Sequence, residues 1–259
     1  MDDRDAIDLA RTIAFERGIQ ERTCTRAIPF AFGTAFLNDA YRIRWDSNLL
    51  WVDRPASADE LADEADRILG GAGLPHREIR VDDDAQGATL SDGLRARGYG
   101  CDRLVVMRLE RPTGSSTDGI EEVGLDTLRP ALETAIGREP YGATEDAVRT
   151  LAAFREELVR HAGARFFCAR VDGEIASFCD LYREGAIAQI EDVNTLQEFR
   201  NRGLARAVVA RAIDEALAAG AELVFIQALS EDWPRALYAK LGFVPIGHVW
   251  WFVRPSTPP

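Results

Sequence analysis

A chain of 259 residues with 46% hydrophobic residues is long enough for one large domain or two small ones, and its apolar runs, such as 104–107 and 223–226, are too short to span a bilayer. A net charge of −12 at pH 7 argues against a general nucleic-acid binder; the acidic surface either steers a cationic substrate or only keeps the chain solvated. The four cysteines (Cys24, Cys101, Cys168, Cys179) form no Cys-x-x-Cys pair and only three histidines are present, so neither a metal site nor a disulfide framework is expected. The opening Met-Asp-Asp-Arg-Asp has no secretory pattern, so a cytoplasmic chain with no membrane partner is expected.

In chain order, residues 41–52 read as a strand broken near Asp46, Ser47 and Asn48. An acidic helix is expected over 57–69, with Leu61, Ala65, Ile68 and Leu69 apolar. A strand over 78–81, a short helix over 87–97 and a strand over 104–109 follow. The stretch 111–119 is small, polar and rich in breakers, and reads as a linker.

Beyond it, 125–137 and 143–161 have helical periodicity, the second with a stripe of Ala147, Leu151, Phe154 and Leu158. A strand over 165–171, an Asp172-Gly173 hairpin turn, a return strand over 174–182, a turn at Glu184-Gly185 and a third strand over 186–195 come next. The helix over 203–219 buries Ala205, Val209, Ala212, Ile213 and Ala216 and stops at Gly220. Residues 222–229 read as a strand buried on both faces, followed by a short helix between Pro234 and Gly242 and a last strand or strand pair over 243–253. The tail 255–259 is expected to fray. Trp233, Trp250 and Trp251 read as core or pocket wall, or else as the lining of an aromatic acceptor pocket; His161 and His248 read as structural. Meander and crossover connections together mean an α/β sheet with helices on its faces. The first half looks like a worn copy of part of the second: Leu-Arg-Ala-Arg-Gly-Tyr at 94–99 parallels Leu-Tyr-Ala-Lys-Leu-Gly-Phe at 237–243. The alternative is an unrelated cap domain.

The segment 190–206 joins a buried strand to the start of a long amphipathic helix. A helix start offers unpaired N–H groups and a positive dipole end, which together hold phosphate. Gly203 lets the backbone approach a ligand closely, and Ala205 is nearly as small. Arg200, Arg202 and Arg206 add positive charge in an acidic chain, which argues for a bound polyanion. Neither a Gly-x-x-x-x-Gly-Lys-Ser/Thr loop nor a Gly-x-Gly-x-x-Gly turn is present.

Arg200-x-x-Gly203-x-Ala205, after a strand and opening a helix, resembles the Gln/Arg-x-x-Gly-x-Gly/Ala signature of the GCN5-related N-acetyltransferase (GNAT) superfamily. Leu237-Tyr238-Ala239-Lys240-Leu241-Gly242-Phe243 resembles the family's Leu-Tyr-x-x-x-Gly-Phe. The resemblance covers 120–254 and is only architectural before that. It implies an α/β (α+β) GNAT fold, a mixed and mostly antiparallel sheet flanked by helices. The expected division is a degenerate GNAT-like domain over 1–111 and an acetyltransferase domain over 120–259. It implies acetyl-CoA as co-substrate and no metal. Backbone groups of Val193, Asn194 and Thr195 would pair with the pantetheine arm. The amides of Arg200, Asn201, Arg202, Gly203, Leu204 and Ala205 would take the pyrophosphate, and Tyr238 would protonate the departing thiolate. The family often has an asparagine where this chain reads Ser230-Glu-Asp-Trp-Pro-Arg; Ser230 or Asp232 would substitute while capping the helix. The first half reads Trp51-Val-Asp-Arg-Pro-Ala-Ser at the corresponding junction, so it is expected to bind no coenzyme and instead to cover the acceptor side or enlarge an interface.

An ammonium acceptor must lose a proton before it attacks, and a carboxylate near the third strand's end would take it. Glu191 and Asp192 are the candidates; they alternate along a strand, so only one faces the substrate, with Asp192 preferred. The N–H of Val193 or its neighbour would serve the oxyanion. The implied function is transfer of an acetyl group to an amine of a small molecule or protein, with one active site per chain, as monomer or homodimer. A non-catalytic acyl-CoA sensor and a dimerisation scaffold on the same fold are the alternatives.

Overall fold

The structure, a computed structural model, describes residues 2–255. Of the tail expected to fray, Pro255 ends the last strand and 256–259 lie outside the described residues.

Helix α1 (Asp3–Thr23) starts where the Asp2 carboxylate accepts from the Asp5 N–H. It was not legible because three of its four buried residues are polar: Asp8, Thr12 and Thr23, beside Phe15. The hairpin β1 (Arg26–Phe30) and β2 (Gly33–Leu37) follows, then β3 (Leu49–Val52), α2 (Ala58–Ala65), β4 (His76–Val81), α3 (Asp84–Ala96) and β5 (Gly100–Leu109). The strand expected over 41–52 shrinks to β3. The Asn48 side-chain amide donates to the carbonyls of Tyr41 (3.0 Å) and Arg44 (2.9 Å), which coils the chain into a 3-10 turn at Trp45–Ser47. The helix expected over 57–69 ends at Ala65 and passes into a π-turn, Asp66–Gly70.

Residues 110–119 carry no regular structure. Beyond them come β6 (Ile120–Val123), α4 (Leu125–Gly137), α5 (Glu145–Ala162), β7 (Arg165–Val171), β8 (Glu174–Glu184), β9 (Ile187–Thr195), α6 (Leu204–Ala218), β10 (Leu223–Leu229), α7 (Pro234–Lys240) and β11 (Phe243–Pro255). Asp172 and Gly173 both take positive φ (52° and 86°), the backbone a tight hairpin turn demands.

All eleven strands form one sheet, in the order β1-β2-β3-β4-β11-β5-β10-β9-β8-β7-β6. The order reads alike from both ends: each half runs a meander into one parallel pair, β3–β4 or β9–β10, joined by the crossover helix α2 or α6. Each half then lends its last strand to the other. β5 lies against β10, β11 against β4, and the two lent strands pair antiparallel with each other from Phe243↔Leu109 to Val253↔Gly100. The halves therefore share the middle of one sheet, and every remaining neighbouring pair is antiparallel.

Strand alternation sorts the core into layers. Phe166 and Cys168 of β7 face α4, α5 and Phe15 of α1, while Phe167 and Ala169 face α6. Helices α2 and α3 cover β3, β4 and the end of β11 through Leu61, Leu90, Ile79 and Phe252. Trp250 is buried, as expected, but Trp233 is 68% exposed beside α7: it precedes Pro234 at the helix start and points away from both layers. Among the described residues no helix is long and apolar enough to cross a membrane.

Candidate active site

The two strands of the C-terminal parallel pair part company halfway. β9 and β10 are in register from Leu223↔Ile187 to Ile226↔Ile190 and no further. Beyond that, β10 stays paired with β5 out to Leu229↔Leu104, and β9 with β8 out to Thr195↔Ser177. The edges of residues 191–195 and 227–229 that face each other therefore lie open, like two sheet edges awaiting a strand.

A bulge in β9 accompanies this gap. Asp180 pairs with Glu191 and Phe178 with Asn194, so Cys179 alone opposes both Asp192 and Val193. Asp192 takes a left-handed φ of 51°, a conformation that costs roughly 1–2 kcal/mol outside glycine and concentrates at functional sites. What holds it is charge. Arg155, on the buried side of α5, forms an ion pair with Asp192 and donates to Asp180 Oδ2 at 3.0 Å; the Tyr182 hydroxyl donates to the same oxygen at 3.0 Å. Burial pushes the Asp180 carboxyl up, to about 7, Arg155 pulls it down and Asp192 pushes it up again. Sequence reasoning missed Arg155 and Asp180, although both left a signal. Arg155 falls on the Leu151–Leu158 stripe, and Asp180 interrupts an apolar strand; a charge at a core position needs a partner.

The bulge also breaks the simple alternation expected of Glu191 and Asp192. Asp192 turns onto Arg155, whereas Glu191 accepts from Gln189 Nε2 at 2.8 Å. Glu191, Asp192, Gln189 and Gln227 line a cavity of about 200 Å³ together with Glu16 and Arg80 from the first half. Glu16 ties the halves together, taking Gln189 (3.0 Å) and Gln227 (2.8 Å) on one oxygen and Arg80 (2.5 Å) on the other. Burial and the neighbouring carboxylates Asp192, Glu16 and Asp180 push Glu191 well above the ordinary glutamate range.

Below the gap, the chain turns from β9 into α6. Arg200 Nε donates to the Thr195 carbonyl (3.2 Å), Arg202 reaches the Glu198 carbonyl (3.4 Å) and lies over Phe199, and Arg138 grips Glu198 with two bonds (2.7 and 2.9 Å). Ser177 donates to the Asn194 carbonyl and meets the Thr195 hydroxyl, both at 2.8 Å. Asn201 and Gly203 take positive φ (63° and 80°), and a Cβ on Gly203 would meet nothing within 4 Å. The first turn of α6 has neither an acidic residue nor a side-chain cap. Among the described residues, the N–H groups from Asn201 to Arg206 find no acceptor, and Arg200, Arg202 and Arg206 pair with no carboxylate. The sequence motif thus folds into open amides at a positive helix end.

Tyr238, on α7, is buried against Phe243, its ring in the same apolar cluster as Val193 and Leu204. Its hydroxyl makes no hydrogen bond among the described residues; burial, with the nearby Glu191, raises its pKa and holds it protonated. Ser230, just past β10, is buried with its hydroxyl unpartnered. Neither Ser230 nor Asp232 caps α7: Trp233 is the N-cap without a side-chain bond, because Asp232 Oδ1 accepts the Trp233 N–H one residue too early.

A second cavity, of about 610 Å³, opens on the other side of Asp192. Val193 and Asn194 meet it at one side, α4 and α5 supply Leu132, Ile136 and Leu151, and the first half supplies Trp45 and Glu78.

A profile of the acetyltransferase (GNAT) family matches residues 129–243, which span α4 through α7 and hold the gap, the open helix end and Tyr238. Those residues are similar to a GNAT acetyltransferase domain. Its architecture extends to the whole chain. A conserved protein of unknown function from Staphylococcus epidermidis superposes with a TM-score of 0.71 at 12% identity, covering 91% of this chain and 96% of that one. A GCN5-related N-acetyltransferase from Kribbella flavida does so at 0.62 and 16% identity, covering 96% of each. A tandem GNAT protein from the clavulanic acid biosynthesis pathway superposes at 0.55 and 15% identity, covering 88% of this chain and 80% of that one. At such identities the likeness is one of fold, and it includes the two-half arrangement beside the GNAT domain. No curated protein matches the chain.

Proposed function

We propose that the chain is an acetyl-CoA-dependent N-acetyltransferase acting on a small amine, with one active site per chain. The observation that carries this reading is the gap between β9 and β10, which opens directly before the unpaired amides of α6. The open edge at Val193, Asn194 and Thr195 suits an extended amide-bearing arm, which hydrogen-bonds as an added strand does. The unpaired amides from Asn201 to Ala205, with Gly203 leaving room for close approach, suit a pyrophosphate, while the Arg200 N–H expected to join them instead donates to the Gln197 carbonyl. Ser230 supplies a spare buried hydroxyl on the far wall.

Bound acetyl-CoA supplies the activated thioester. Glu191 is the favoured base over Asp192: its raised pKa makes it the stronger base, while Asp192 is committed to Arg155 and holds the bulge. The amine's lone pair attacks the carbonyl carbon and its proton passes through water to Glu191, which lines the smaller cavity across Asp192. The N–H of Val193 or its neighbour stabilises the charge developing on the carbonyl oxygen. As the carbon–sulfur bond breaks, the Tyr238 hydroxyl gives its proton to the leaving thiolate, and the proton held on Glu191 passes through solvent to restore the Tyr238 hydroxyl.

A small amine fits better than a protein chain, because Trp45 and Glu78 of the first half wall off the larger cavity. In this reading residues 1–111 bind no coenzyme and shape the acceptor side. Calorimetry with acetyl-CoA, followed by thiol release against an amine panel, tests the proposal. Binding at one site with amine-dependent thiol release is expected. Binding without release would make the chain a sensor, and no binding would remove the coenzyme site.

A further inference from the structure

The larger cavity holds one carboxyl group that nothing in the protein uses. Glu78 lines it from β4 and is only 3% exposed, yet among the described residues its side chain accepts no hydrogen bond and forms no ion pair. The other charged groups there are already matched. Arg44 donates to Asp46 at 2.6 Å and lies 4.1 Å over the Phe154 ring, and Arg155 is held by Asp180 and Asp192. Both of the cavity's guanidinium groups are thus committed to other carboxylates. A carboxyl taken from water without a partner is costly, and such groups are kept where a ligand completes them.

Its position is as informative as its isolation. Strands β11, β5 and β10 lie between β4 and β9, so Glu78 sits four strand spacings from Asp192 and Asn194, roughly 19 Å along the sheet. The cavity is lined by Val193 and Asn194 at the gap and by Glu78 from β4. Apart from the paired Arg44, Asp46 and Arg155, much of the lining is apolar, with Leu132, Ile136 and Leu151. Burial and the Asp46 carboxylate push Glu78 well above the ordinary glutamate range and Arg44 pulls it back.

We propose that Glu78 recognises a second cationic group on the acceptor, so that the substrate class is a diamine: an apolar body presenting one amine at the coenzyme gap and anchoring the other on Glu78. The charge pair would be desolvated, where removal of one partner is expensive, so it discriminates strongly between a diamine and a monoamine. This rests on reading the larger cavity as the acceptor site of an N-acetyltransferase.

The test is calorimetric and needs no coenzyme. The intact protein is titrated with α,ω-diaminoalkanes of increasing length and with n-alkylamines of equal length. The best diamine is expected to bind at least tenfold more tightly than its matched monoamine, and Glu78→Gln to bring it down to the monoamine's affinity. A diamine preference that survives in Glu78→Gln, or no preference in the wild type, overturns the proposal. Should Glu78→Gln melt too low to titrate, Glu78→Asp decides: the shorter side chain is expected to move the optimum to a longer diamine, and an unmoved optimum overturns the assignment. A separate titration with acetyl-CoA alone reports on the coenzyme site, so failure there is distinguishable from failure at Glu78.

Discussion

Two crossovers, β3–α2–β4 and β9–α6–β10, share a topology and differ where strand gives way to helix. In the first, the parallel pair is closed to its end: Val52↔Val81 are the last residues of both strands. Helix α2 then satisfies its own amides through a capping box, with Ser57 Oγ accepting from the Glu60 N–H (3.3 Å) and the Glu60 carboxylate accepting from the Ser57 N–H (2.9 Å). Asp59 and Glu60 in that first turn would repel a phosphate. In the second, the pair opens after Ile190↔Ile226, the helix starts on an uncapped glycine, and no acid stands in its first turn. Even the downstream helices diverge: in the repeat, Arg95 holds the place of Tyr238 and points to solvent. On the proposed reading, the crossover alone therefore makes no coenzyme site. The site needs strands that splay, amides that stay unpaired, and a helix start that brings no negative charge of its own.

The register makes the sharpest test of this contrast. Glu191 and Asp53 each follow the last paired residue of their strand, but Asp53 sits at the surface on Arg17 (3.1 Å), while Glu191 is enclosed among carboxylates. Glu191→Gln is expected to lower kcat/KM by about 10³, within the range for a lost general base, and Asp53→Asn to change it less than twofold. The pH dependence carries the sign. A base works deprotonated, and Glu191's pKa is raised, so wild-type kcat/KM should fall as pH drops through a value well above 4.5. Glu191→Gln should flatten that limb, and a limb surviving unchanged would remove Glu191 from the mechanism.

Next in size is the helix start. Gly203→Glu places a carboxylate in the open space before α6 and forces a side chain into a left-handed φ. Acetyl-CoA affinity by calorimetry should weaken about 100-fold, or ~2.7 kcal/mol. Unchanged affinity would mean that the open amides of α6 are not the phosphate site.

How much of this contrast stood in the sequence depends on how local its causes are. The α6 junction was legible because Arg200, Gly203 and Ala205 act through nearest-neighbour backbone geometry. The helices α4 and α5 and the strands from β7 onward were legible from periodicity and turn residues. The strand exchange was not, because β5 and β11 are apolar strands that carry no mark of which half they will join. Nor was the bulge: Asp192 has its left-handed φ because Arg155, far off in sequence, pairs with it there. The same holds for Glu78, an ordinary strand glutamate until the sheet order, with three strands between β4 and β9, sets it in the wall of a cavity shared with Asp192 and Asn194.

Tyr238 should show a smaller effect than either change above. Its hydroxyl is free and its pKa raised, so it stays protonated through neutral pH and is able to donate. Tyr238→Phe keeps the buried ring against Phe243 and removes only that proton. Turnover should fall about 30-fold with acetyl-CoA affinity intact, and an unchanged kcat would assign Tyr238 to packing.

The smallest expected effect comes from the closed junction. Ser57→Ala removes the α2 cap, which should cost about 1 kcal/mol, seen as a fall in Tm of about 2–4 °C for a chain of this size. Coenzyme stoichiometry should remain one per chain. The cap is only one of two barriers at that junction: with Ser57 gone, Val52↔Val81 still closes the strand pair and Asp59 and Glu60 still face the helix end. A second equivalent of acetyl-CoA bound by Ser57→Ala would mean that the cap alone had hidden a working site. In that case the splay of β9 from β10 would not be what separates the two halves, and the weight placed on that gap would move to the helix starts.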